Sequence, residues 1–248
     1  MPEKNVFPLT MSLTAAKLRA SRFSVALAAL LPAFLAFVAA RGSCGTAMKF
    51  FLFFFPYVFL VAAQDMAGTE ISSGALENVI FLRGVFRRFL WRKNFALAAS
   101  AGAYAAAVFI GLALWSLARG RFDPNWGLQF GLGLLAGFYY IGAAGALSHF
   151  LKGGSNVVVI LLAQAASLLG LLASAASRSA FIDHLEAGKF PDLVSRLKFL
   201  GFTAVFPNLI VSPRLRAGAL VAAVGLAAAL ALQRALLRRL ELRKEGRA

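Results

Sequence analysis

Uncharged apolar runs alternate with short charged stretches along this chain, and the runs have the length that crosses a bilayer. Six stand out: 23–40, 50–64, 95–118, 126–148, 157–177 and 217–233. About 20 apolar residues in a helix cover the roughly 30 Å hydrocarbon core. The first run contains Pro32, which a membrane helix tolerates when its neighbours satisfy the freed carbonyl. The second, fifteen residues between Lys49 and Asp65, is short, so it is expected to extend past a boundary residue or to meet a thinned bilayer. A further stretch, 199–212, is fourteen residues long and holds Pro207, with Pro213 just after it. That length suits a re-entrant or interfacial segment within a long outer loop, 178–216, or one lying outside the membrane, better than a span. Before the first run, Leu9, Leu13, Ala16, Ala20 and Phe23 recur at three- and four-residue spacing beside Lys17, Arg19 and Arg22. This predicts an amphipathic helix over 8–22 lying on the membrane surface.

The expected fold class is therefore an all-α integral membrane protein. It has six transmembrane helices in a single domain, 1–248, with an interface helix before them. Composition agrees: the chain is 60% hydrophobic with a mean hydropathy of +0.76. Its net charge of +16 would suggest nucleic acid in a soluble domain. Here Lys and Arg gather at the ends of apolar runs, the pattern for anionic lipid head groups and for topology, so nucleic acid is not expected as a partner. With six spans and an inner N-terminus, the inner segments hold sixteen Lys plus Arg and the outer ones ten, six of these in the long 178–216 loop. Positive charge thus favours six spans with both termini in the cytoplasm, across a cell inner membrane.

The interval 65–94 reads DMAGTEISSGALENVIFLRGVFRRFLWRKN, with three acids followed by five bases. Thr69 suits a helix cap with Glu70 in the first turn, where an anion meets the positive end of the helix dipole. Ile71, Ala75, Leu76, Val79 and Ile80 form one apolar stripe. Arg83-Gly84 interrupts it, and a second amphipathic stretch with Arg87, Arg88, Arg92 and Lys93 leads into the third span. Two short surface helices hinged at Gly84 are the expectation.

The order Glu70-Ile-Ser-Ser-Gly74-Ala75-Leu76, then Arg87, then Lys93 nineteen residues after the glycine and a span directly behind it, resembles the type 2 ABC exporter permeases. The likeness extends to the surface helix, the six spans and the long outer segment with a half-length apolar stretch. Two departures stand out: Ala75 where that family usually has Thr, and Arg83-Gly84 where it often has Pro. The resemblance implies a membrane-spanning subunit of an ATP-binding-cassette exporter. Segment 65–94 would be its coupling helix, with Glu70, Gly74, Leu76, Arg83, Arg87 and Lys93 seated in a groove of a separate ATPase subunit. It further implies a dimer of ATPase subunits, a second permease copy (the same chain or a paralogue), and ATP with Mg bound by the partner rather than by this chain.

No stretch matches G-x-x-x-x-G-K-[ST], so the chain is not expected to hold ATP in a Walker loop. The single Cys44 excludes an internal disulfide, and His149 and His184 fall on opposite sides of the expected topology, so neither a catalytic nor a metal site is expected. The spans are almost free of ionisable groups, which disfavours intramembrane catalysis and an ion-coupled carrier. A path for a lipid-like, amphipathic or sugar-bearing molecule would draw on Phe54, Tyr57, Gln64 and Gln164, although the aromatics of the second span suit packing at a dimer seam or against lipid better. The alternatives are a non-transporting membrane scaffold or accessory protein and, more weakly, a secondary carrier.

Overall fold

A computed structural model describes residues 22–64, 85–151, 154–176 and 180–245, and every regular element among them is helical. In chain order these are α1 (Arg22–Arg41), α2 (Cys44–Phe54), α3 (Pro56–Ala62), α4 (Val85–Ala118), α5 (Asn125–Leu147), α6 (Ser155–Ala176), α7 (Ala180–Ala187) and α8 (Leu193–Val205). Two 3-10 turns, Pro207–Val211 and Pro213–Leu215, lead into α9 (Gly218–Glu245). Among the described residues, five helices are long and apolar enough to cross a membrane: Cys44–Ala62, Trp91–Ala118, Asn125–Leu147, Ser155–Ala176 and Gly218–Leu236. The first expected run lies in α1, whose apolar part, Ala29–Arg41, is shorter. The expected surface helix over 8–22, apart from Arg22 itself, and residues 65–84 of the polar interval lie outside the described residues.

The short second run lengthens in the way its length demanded. Ser43 caps α2 by accepting from the Thr46 amide at 3.0 Å, so the span begins at Cys44 and takes in an exposed Lys49, instead of starting at 50. Pro56 then divides α2 from α3, because proline lacks the amide that would continue the ladder. The core of the bundle gathers on this broken helix. Phe51, Phe55 and Phe59 are fully buried, and Phe51 and Phe55 stack on Phe130 of α5. The fit needs glycine on α5: a Cβ at Gly133 would stand 2.4 Å from the Phe55 ring and one at Gly137 would stand 2.6 Å from Phe59. Small residues allowing close approach are how membrane helices pack without a hydrophobic drive.

Two elements run past their expected ends. Helix α4 has 34 residues, about 51 Å at 1.5 Å per residue, and shows no break at Asn94 where the third run was expected to begin. Helix α9 continues to Glu245, beyond the expected end at 233. Both overshoot the roughly 30 Å core of a bilayer. Chain direction puts both overhangs at the same end of the bundle, the end where α3 finishes.

The stretch expected as an outer loop, described from residue 180, is neither an extended loop nor a simple surface helix. Asp192 caps α8 through the Ser195 amide, 2.7 Å away, and α8 runs in beside the bundle to Val205. There it stops, since a residue before proline is disfavoured in helical geometry and Pro207 follows Phe206. The chain returns through the two 3-10 turns to α9. Gly188, at φ 66°, closes α7 with the Arg214 carbonyl only 2.5 Å from where a Cβ would be, so the turn requires glycine.

Candidate functional site

Where α8 ends, near the middles of α2/α3, α5 and α6, a buried polar network joins four segments. The Tyr57 hydroxyl donates to Gln164 Oε1 at 2.9 Å. Gln164 Nε2 donates both to the Tyr140 hydroxyl oxygen, at 2.7 Å, and to the Val205 carbonyl, at 2.9 Å. The Tyr140 hydroxyl in turn donates to Asn208 Oδ1, and Asn208 Nδ2 donates to the Phe53 carbonyl at 2.7 Å. Tyr57 and Tyr140 stack face to face with centroids 5.6 Å apart. Beside them the Tyr139 hydroxyl donates to the Ala204 carbonyl at 2.8 Å.

Three of these bonds answer a backbone need, and the other three tie their side chains together. The last carbonyls of α8 have no partner within their own helix, and Tyr139 and Gln164 take two of them. Phe53 precedes the Pro56 break by three residues, and Asn208 takes its carbonyl. Irregular backbone among membrane helices is tolerated only where protein satisfies it, which is the work these side chains do. Tyr140, Gln164 and Asn208 are 1%, 4% and 0% exposed, so the centre of the network is closed to solvent, with Tyr57 half-buried at its edge.

Of the four residues expected along a path, the structure brings Tyr57 and Gln164 into direct contact. Phe54 stays on the outer face, 41% exposed, in an aromatic run with Phe34, Phe50 and Tyr57. Gln64 is elsewhere, at the end of α3, with its amide lying over Gly154. Tyr139, Tyr140 and Asn208 were not singled out from the sequence. Asn208 lies between Pro207 and Pro213 in an apolar stretch, and a buried amide there has to find partners. The tyrosines carried no comparable signal, being ordinary residues of an apolar run.

A second set of polar groups marks the end where α4 and α9 overhang. Asn94 Nδ2 donates to Gln233 Oε1 at 2.8 Å, and Gln233 Nε2 donates to the Gly142 carbonyl at 2.8 Å, pinning α4, α9 and α5 together. Lys93, expected on a docking surface, is 6% exposed and held within the bundle in this conformation. Arg87 stands on the first two turns of α4, in the overhang. Glu70, Gly74, Leu76 and Arg83 lie outside the described residues.

The histidines are far apart in the chain's layout: His149 follows α5 and His184 sits in α7. Burial lowers the pKa of His149, while His184 Nδ1 lies 3.9 Å from Asp192 Oδ1. The Ser195 amide and hydroxyl hold Asp192 below the ordinary aspartate range. Among the described residues no three His, Cys, Asp or Glu side chains gather as metal ligands would. No protein-family model matches this chain, and no curated protein and no solved structure matches it either.

Proposed function

We propose that this chain is the membrane subunit of an ATP-binding-cassette exporter. It works in the inner membrane as one of two six-span halves, with α1 as the first span and both termini cytoplasmic. A separate pair of ATPase subunits binds ATP and Mg and drives it. The observation that carries the reading is the Glu70-to-Lys93 pattern running into a helix that continues unbroken from Val85 to Ala118. Glu70, Gly74, Leu76, Arg83 and Arg87 meet the ATPase, while Lys93 anchors the segment to the bundle. A push on the segment acts on α4 as on a stiff rod, and the Asn94–Gln233–Gly142 bonds pass it to α9 and α5.

The helix-and-return between α6 and α9 supports the same reading, as does the exposed aromatic run of Phe34, Phe50 and Phe54. That run gives an amphipathic or lipid-like cargo a surface between the two copies. Rocking of the halves opens and closes this surface. Tyr57 borders it and, with Gln164, keeps the α8 turn seated. Reversing charge at Glu70 and Arg87 together is expected to release the ATPase or to uncouple hydrolysis from transport. Unchanged assembly and transport in Glu70→Lys/Arg87→Glu would sink the proposal.

A further inference from the structure

Helices α4 and α9 flank α5 and leave a groove of about 570 Å³ between them. Its walls are apolar: Gly102, Ala103 and Ala106 of α4, Phe138 of α5, and Leu226 and Leu230 of α9. The volume falls within the roughly 300–1,000 Å³ typical of small-molecule sites. One end is bounded by Trp91 and Asn94, and from there both helices overhang. Arg87 and Arg88 precede Trp91 by four and three positions, the spacing that shares a helix face, and exposed Arg234 follows Leu230 by four. Apart from the buried Lys93, the overhangs 85–93 and 234–245 carry eight Lys plus Arg against two Glu, so this end of the bundle is rich in basic residues.

We propose that the groove is a site for an anionic phospholipid, one acyl chain lying along α5 and the phosphate at the basic end, on the helix faces that carry Arg88 and Arg234. An acyl chain gains little hydrophobic energy by leaving bulk lipid for an apolar groove. Preference among lipids therefore comes from the head group, and bases near a membrane surface favour anionic ones. A second copy of this chain fits the groove poorly. Two copies in one membrane orientation bring the same bases to the same level, like charge against like. The site does not depend on the ATPase reading, and Arg87 is left out of its test so that the two proposals fail separately.

The test is native mass spectrometry of the detergent-purified chain, titrated with phosphatidylglycerol and with phosphatidylcholine. Wild type is expected to bind phosphatidylglycerol in preference. Arg88→Gln/Arg234→Gln is expected to weaken that binding about 25-fold, roughly fivefold for each base removed, and to leave phosphatidylcholine unchanged. Ala103 is exposed within the groove, so Ala103→Trp fills it without disturbing the core and abolishes retention of the lipid. Equal binding of the two lipids by wild type would overturn the proposal, as would unchanged retention in a folded Ala103→Trp. A disulfide between copies formed by Ala103→Cys in lipid-free detergent would assign the groove to a second copy instead; Cys44 is buried and does not compete.

Discussion

Replacing Gln164 by leucine removes the hub of the central network at nearly constant volume. The wild-type amide serves the Tyr57 hydroxyl, the Tyr140 hydroxyl and the Val205 carbonyl. Tyr140 keeps its bond to Asn208, so two half-buried groups, Tyr57 Oη and the Val205 carbonyl, lose a partner. A buried polar group left unsatisfied costs about 1–3 kcal/mol in a soluble protein. Hydrogen bonds between membrane helices average only about 0.6 kcal/mol, with a maximum near 1.7, because the unfolded chain in the membrane also finds partners. The membrane figure applies to Tyr57, a side chain that can pair elsewhere. The low end of the soluble range, about 1 kcal/mol, applies to Val205, a half-buried helix-end carbonyl fixed beside Pro207. Together they give a loss of about 2 kcal/mol, read as a shift in the reversible unfolding midpoint in mixed micelles. Tyr57→Phe alone costs roughly 0.6 kcal/mol and, in the Gln164→Leu background, close to nothing, since its partner is already gone. A Gln164→Leu chain as stable as wild type, or additive losses in the double variant, would refute this account of how the α8 turn is held.

Three further outcomes follow from the packing and the charges. Asn208→Leu is expected to strip the Phe53 carbonyl near Pro56 of its partner and to cost about 1–3 kcal/mol in the same unfolding measurement. Gly137→Leu is expected to abolish folded monomer in detergent chromatography because its Cβ meets the buried Phe59 ring, whereas Gly127→Leu, with open space around it, leaves the yield unchanged. Burial lowers the His149 pKa, so its neutral form is favoured in the folded state. Stability is complete above the unfolded histidine value and is lost as pH falls from there towards the folded value. His149→Gln should flatten that part of a melting-temperature profile.

The run lengths made the helices legible, because a bilayer demands about 20 apolar residues and few sequences satisfy that by accident. Residues 126–148 and 157–177 fell within two residues of α5 and α6. The boundaries that moved did so where charge was read as punctuation. Lys49 ended a run on paper, yet Ser43 caps a helix six positions earlier, and an exposed lysine within a span costs little near its end. Asn94 and Gln233 looked like helix limits, but each satisfies the other within longer helices. Proline spacing marked 199–212 as irregular without locating it. Its seat depends on Tyr139, Tyr140 and Gln164, which approach it from two other helices, and contacts across 41 to 68 residues leave no local pattern. Gln164 was legible as a polar residue in an apolar run; its bond to Tyr57, across 107 residues, was not.

The central claim is that a separate ATPase drives this chain through the segment before α4. Gentle extraction of the tagged chain from its own membranes, followed by mass spectrometry of what accompanies it, tests that most directly. The account predicts two copies of the chain with two copies of a subunit that carries a Walker loop and hydrolyses ATP. Recovery of the folded chain alone, from membranes in which crosslinking before extraction also captures no such subunit, would contradict it.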